Sequence, residues 1–404
     1  MLEIRFHTFT KGSFLVSIKT IAIADLKIGM FLLEFNDSKQ KIAVKKPGRV
    51  PNDKVIGKLA GDGIVEVTVD FSRSTFTTKI EPASWKRDKS KLVAFDNEIM
   101  RAHRLLKESK ATVNKMLENV FADQVVDIEP LNKAADDIVE SLSNNSDALH
   151  SLSALRTKDA YLAEHSLNVG VLLASFARYL GWTRDEQAQL IVGGIVHDIG
   201  KTRVDLEILN KPSRLEPHEF EHMKLHQVHS KSLLNEIEDL TQMSREVSTM
   251  HHEKLDGTGY PLGLKGEQLS EVGRMSSIVD IYDALTASRC YKKAMSPAAA
   301  LKIMMGLSGH HLDEDLLKAF ILCIGFYPVG SLVELSNNLL GLVWESNEDD
   351  MKKPIIKTFY NTQYKKYYEV KMIDLANSNL SIKRGVGPFE YGIDIDAYRY
   401  QPVG

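Results

Sequence analysis

The stretch Leu190-Ile191-Val192-Gly193-Gly194-Ile195-Val196-His197-Asp198-Ile199-Gly200-Lys201 decides how the chain is read. Leu190 to Ile199 is an apolar run that predicts a buried helical segment, yet an imidazole and a carboxylate stand side by side within it. Burying that pair without a partner is costly, so a partner is expected. A divalent metal suits both groups: a neutral imidazole donates one nitrogen, and a carboxylate can bridge two ions. Two ions roughly 3.5–4 Å apart can share a hydroxide and stabilise the attacking and leaving oxygens of an in-line displacement. Phosphodiester cleavage is a reaction well served by such a centre.

Working outward, eight of the 13 histidines fall between His165 and His252. His165 lies upstream of the doublet; His226, the pair His251-His252 and Asp280 lie downstream, at intervals of one or two helices. A helical bundle builds a site in its core from such spacing. A lone histidine is usually a solvated residue, and a lone His-Asp dipeptide is common; two doublets with further imidazoles and a carboxylate outweigh that reading. His218, His222 and His229 share a helical face with His226, so geometry does not choose among these four. His310-His311, between Gly309 and Asp313-Glu314-Asp315, reads as a loop before the acidic start of a helix.

With 404 residues the chain exceeds one compact core, and the fold expected is α+β and multidomain. Residues 1–92 read as a small β-rich N-terminal module with short runs such as Val65-Glu66-Val67-Thr68-Val69; Phe14 to Ile18 reads as a strand. Residues 93–155 read as a helical connector, with Ser141 to Ser153 as a hinge or loop. Residues 156–327 read as an all-α catalytic bundle, and 328–404 as a strand-rich C-terminal extension. Fifty-one Lys+Arg against 54 Asp+Glu leave a formal charge of -3, which argues against a duplex nucleic acid partner; any anionic ligand must be held by local charge. Cys290 and Cys323 form no CxxC pattern, which fits a reducing compartment, and no membrane insertion signal is seen, so cytoplasm is expected.

The ordered set His165, His197-Asp198-Ile199-Gly200-Lys201, Leu209-Asn210-Lys211-Pro212, His226, His251-His252-Glu253, Asp256 to Pro261 and Asp280 to Arg289 resembles the HD-GYP phosphodiesterases, over residues 155 to 325. Ile21 to Phe31 is similar to the start of a module often found ahead of that domain. The resemblance implies an HD-type helical bundle in which His165, His197, Asp198, His226, His251, His252 and Asp280 hold metal, with Asp198 bridging. It implies that Lys201 reaches the substrate phosphate. It also implies that Gly259-Tyr260-Pro261 forms the loop beside the ligand, and that Asp283, Arg289 and Lys292 line the guanine and phosphate pocket. Arg289 and Lys292 stand three apart and supply local positive charge, and a guanidinium can pair bidentately with phosphate or a guanine edge.

Three positions depart from the family pattern. Tyr161 stands where members that bind three metals carry glutamate, so two divalent ions are expected, iron or manganese first, with zinc, nickel or cobalt as alternatives. Arg289-Cys290-Tyr291 replaces Arg-Pro-Tyr, and Gln227-Val228-His229 follows His226 in place of the common Pro and Gly. The function implied is hydrolysis of cyclic di-GMP or 3'3'-cyclic GMP-AMP to the linear dinucleotide by a metal-bridging hydroxide, with onward hydrolysis to the mononucleotide left open. The alternatives are a non-hydrolytic cyclic-dinucleotide sensor, with a protein partner or a homodimer formed through the N-terminal module, and a general HD phosphohydrolase.

Overall fold

The computed structural model describes residues 18–27, 30–37, 41–50, 52–70, 95–153, 161–287, 294–347, 349–393 and 395–399. Contacts divide the chain into two units, Met1–Glu81 and Pro82–Gly404. In the first, four strands, β1 (Ile18–Ala22), β2 (Phe31–Asp37), β3 (Lys41–Arg49) and β4 (Ile64–Asp70), form an antiparallel sheet ordered β1-β4-β2-β3. Helix α1 (Asp53–Gly61) joins β3 to β4 and starts where the Asn52 side chain accepts from Val55 N. Leu26, Met30, Leu32, Val50, Val67 and Val69 make this unit's core. Of the expected strand Phe14 to Ile18, the first four residues lie outside the described residues.

The second unit opens with two long helices, α2 (Phe95–Phe121) and α3 (Glu129–Ser153). Ser141 to Ser153 is therefore helix and not a loop, with a kink at Asn145 (φ -161°, ψ 99°). Asn145 accepts hydrogen bonds from Asp147 N and Ala148 N, capping the second half of the helix within the first. Leu142, Leu149 and Leu152 are buried, so packing overrides the turn preference of the Ser and Asn residues.

Helices α4 (Tyr161–Tyr179), α5 (Arg184–Val196), α6 (Leu206–Leu209), α7 (Pro217–Lys224), α8 (His226–Glu236), α9 (Gln242–Met250), α10 (Glu271–Thr286), α11 (Pro297–Met305) and α12 (Glu314–Ile324) follow. Thr183 opens α5 with a capping box: its hydroxyl accepts from Glu186 N, and the Glu186 carboxylate accepts from Thr183 N. α5 ends at Val196, three residues short of the apolar run, because Asp198 (φ -105°, ψ 15°) leaves helical geometry and a 3-10 turn takes over at Ile199–Arg203. As expected, His310-His311 lies in a turn, and Asp313 caps α12.

Strands β5 (Leu332–Leu335), β6 (Leu339–Glu345), β7 (Ile355–Asn361), β8 (Lys366–Asp374) and β9 (Ile382–Val386) form an antiparallel sheet ordered β8-β7-β6-β5-β9. Both faces of its centre are buried. Val333, Leu335 and Val343 join the core that α2, α3, α4 and α5 share, whereas Leu332, Leu340 and Leu342 pack with Phe359, Ile393 and Ile395. Neighbouring residues thus serve two different cores, which is why β5 is buried at every position.

Candidate metal centre

Five helices deliver the donors. His165 lies on α4, His197 and Asp198 follow the end of α5, His226 opens α8, His251 and His252 follow α9, and Asp280 lies on α10. The α5 end is pressed against α8 at Gly200, whose N–H donates to Ser230 Oγ at 2.9 Å. A Cβ at Gly200 would stand 2.0 Å from the His226 carbonyl oxygen and 2.4 Å from Ser230 N, so only glycine fits this approach. Ser248 Oγ donates to the His197 carbonyl at 2.8 Å and ties α9 to the same turn.

The donor atoms fall into two groups. Those of His165, His197 and Asp280 lie within 4.8 Å of one another, and so do those of Asp198, His226, His251 and His252. Asp198 faces both groups. Its Oδ2 is 3.2 Å from His197 Nε2 and 3.4 Å from His165 Nε2, while its Oδ1 is 3.5 Å from His226 Nε2 and 3.8 Å from His251 Nε2. Asp280 Oδ1 closes the first group at 3.2 Å from His165 Nε2.

The rings of His197, His226 and His251 are each oriented by the other nitrogen. Nδ1 donates to the Gly194 carbonyl from His197 (2.7 Å), to the Met223 carbonyl from His226 (2.6 Å) and to the Ser248 carbonyl from His251 (2.8 Å). These bonds fix the tautomer that leaves Nε2 with a lone pair toward the cluster. Among the described residues, His197 Nε2 and Asp198 Oδ1 are buried with no hydrogen-bond partner, a costly arrangement unless a cation completes it. The donor set fits a divalent metal.

Electrostatics agree. Burial works to raise the Asp198 pKa, but Lys201 and His197 outweigh it and hold the carboxyl well below its usual range. Asp280 is likewise held low, against burial, by His165 and His251. Burial lowers the pKa of His226, of His252 and, to about 3, of His251, keeping these imidazoles neutral and able to ligate.

Of the residues expected around the ligand, Lys201 rests its ammonium on Asp198 Oδ2 at 2.5 Å, one turn beyond His197. Tyr260 stacks on His252, with centroids 4.6 Å apart at 29°. Burial, with Asp198 and Asp280 nearby, raises the Tyr260 pKa and keeps the phenol neutral. The Tyr260-Pro261 peptide is cis. Gly259 packs so closely that a Cβ would stand 2.5 Å from Glu253 Cα. Glu253 holds this loop, accepting from Leu262 N at 2.7 Å and Leu264 N at 2.9 Å.

Asp283 is a correction. Expected to line the substrate pocket, it is fully buried behind His165, where its Oδ2 accepts from His165 Nδ1 at 2.6 Å and its Oδ1 accepts from Asn168. It orients an imidazole instead. Arg289 and Lys292, with Cys290 and Tyr291, lie outside the described residues, as does the Tyr161 side chain. The four histidines from His218 to His229 do not share one face, because α7 ends at Lys224 and α8 begins at His226; among them His226 joins the cluster. Sequence reasoning gave no role to Asn168, Ser230, Ser248 or Glu253. Asn168 was findable, one turn from His165 on the same helix face.

A sequence profile described as "HD domain" matches residues 133–316, and one described as "Domain of unknown function (DUF3391)" matches residues 18–131. A cyclic di-GMP phosphodiesterase of Pseudomonas aeruginosa is 31% identical over 372 residues, covering 89% of this chain and 90% of that protein. The chain belongs to the HD-GYP family. This HD-GYP chain is also similar to two Vibrio cholerae proteins, over less of its length. A probable cyclic di-GMP phosphodiesterase is 34% identical over 185 residues, 42% of each chain, and 3'3'-cGAMP-specific phosphodiesterase 3 is 37% identical over 171 residues, 42% of this chain and 37% of that one. No helix among the described residues of the HD-GYP chain is long and apolar enough to cross a membrane.

Proposed function

We propose that the protein is a metal-dependent phosphodiesterase that opens the ring of cyclic di-GMP or 3'3'-cyclic GMP-AMP to the linear dinucleotide. The observation that carries this is Asp198, one carboxylate whose two oxygens face two separate sets of imidazoles. The reading gains support from the Pseudomonas and Vibrio relatives, named for cyclic dinucleotides.

His165, His197 and Asp280 would hold one divalent ion, His226, His251 and His252 a second, and Asp198 would join both. Iron or manganese is the assignment, with zinc, nickel and cobalt as alternatives, since imidazole and carboxylate donors suit all of them. When bound, such a pair supplies an activated water and neutralises charge on the phosphate. Lys201, already beside Asp198, is placed to donate to a non-bridging phosphate oxygen as negative charge builds there. The Gly259-Tyr260-Pro261 loop, braced by Glu253, walls the site next to His252. Arg289 and Lys292 are assigned to the phosphate and guanine edges on the family resemblance.

The catalytic domain is assigned to residues 156–327, with 93–155 and 328–404 flanking it. Residues 1–92 are assigned a docking or regulatory role, through a protein partner or a homodimer, and the cytoplasm is the assigned location. The test is a chromatographic assay of metal-loaded protein with the two cyclic dinucleotides side by side. Linear product from either supports the enzyme and ranks the substrates; binding with both rings left intact rejects it in favour of a sensor.

A further inference from the structure

Gln227, immediately after His226, places its side chain inside the cluster. The residue is 1% exposed, and its amide nitrogen lies 3.0 Å from His226 Nε2 and 3.3 Å from His251 Nε2. Both rings already donate through Nδ1 to backbone carbonyls, so both Nε2 atoms present lone pairs to this amide. Gln227 Oε1 is buried with no hydrogen-bond partner among the described residues. The amide is therefore half satisfied, and its satisfied half faces two metal donors.

The two ends of a glutamine amide have nearly the same shape, and the network around them decides which way it points. Without a cation, the nitrogen must face the imidazole lone pairs, because an oxygen there would be repelled. With a cation between the rings the preference reverses: the N–H groups would be repelled and the carbonyl oxygen attracted. The orphaned oxygen then gains a partner by a half-turn about one bond.

We infer that Gln227 Oε1 is a further ligand of the metal held by Asp198, His226, His251 and His252, an inference that rests on the metal-centre reading above. That group then offers five protein donors, two of them oxygens. Structural zinc is almost always served by four donors in a tetrahedron, whereas an added amide oxygen suits an ion of higher coordination number such as manganese or iron(II). A proline at position 227 would have no such donor.

The test is calorimetric titration of metal-depleted full-length protein with Mn2+ alone, for wild type, Gln227→Met and Gln227→Glu. Methionine keeps the side-chain length and packing without an oxygen donor, and thermal melting of the metal-free variants checks folding. Wild type is expected to show two binding events. Gln227→Met should weaken one of them about tenfold or more, leaving the other unchanged, and Gln227→Glu should restore it. Equal affinity in Gln227→Met overturns the inference, as does tighter binding, which would mean that the amide competes with the ion. A wild type that takes up neither Mn2+ nor, under anaerobic conditions, Fe2+ overturns the metal centre itself, a failure distinct from that of the Gln227 role.

Discussion

Asp283 on α10 accepts a hydrogen bond from His165 on α4 at 2.6 Å, across 118 positions of chain. The carboxylate fixes the imidazole tautomer and raises its basicity toward a metal. Replacing Asp283 with Ala should lower metal affinity about 10- to 100-fold. Residual metal after dialysis against a graded chelator series measures this. A variant that retains metal like wild type would show that His165 needs no such partner.

Asp198→Asn should remove metal and activity together, because the amide cannot offer two anionic oxygens to the two donor groups that Asp198 faces. It also takes from Lys201 the carboxylate on which its ammonium rests. Elemental analysis and turnover on the same preparation provide the check. Normal metal content with full activity would refute the bridging role.

Gly200→Ala drives a methyl group into the His226 carbonyl and the Ser230 amide. The expected cost is about 1–3 kcal/mol, the range for overpacking a dense core, accompanied by weaker metal binding as α8 shifts with His226. Denaturant unfolding of the metal-free variant reads the first effect and metal titration the second. Unchanged values in both would mean that the turn tolerates a side chain.

Acid stability should depend on Glu334 in the C-terminal sheet. Burial works to raise its pKa, but Lys383 at 3.0 Å and Arg384 at 2.8 Å prevail and set it below the usual glutamate value. A depressed folded pKa contributes stability that is present above the unfolded value and is lost as pH falls through the folded one. The denaturation midpoint should therefore fall below about pH 4.3, and Glu334→Gln should show a shallower fall. Equal slopes for the two proteins would contradict the ion-pair role.

What the sequence revealed follows from the physics of each feature. The clustering of the donors was legible because buried imidazoles and carboxylates are costly alone, and the His-Asp pair within an apolar run announces a partner. The C-terminal strands were legible from their apolar runs, but not the two separate cores to which alternate residues such as Leu332 and Val333 belong. Asp283 was misplaced because a resemblance carries residue identity without side-chain direction. Ser141 to Ser153 looked like a loop because the turn preferences of Asn144, Asn145 and Ser146 are local, whereas the burial of Leu142 and Leu149 that keeps the segment helical is not. Gln227 registered only as a departure from pattern; that its amide meets two imidazoles emerges once α8 and α9 are brought together.

The most direct test of the dinuclear centre is the metal content of full-length protein purified anaerobically, measured by elemental analysis against protein concentration. About two divalent ions per chain are expected, one for each group of donors that Asp198 faces. Protein that carries no metal, and takes up none when iron or manganese is supplied, would contradict the centre and every role assigned around it.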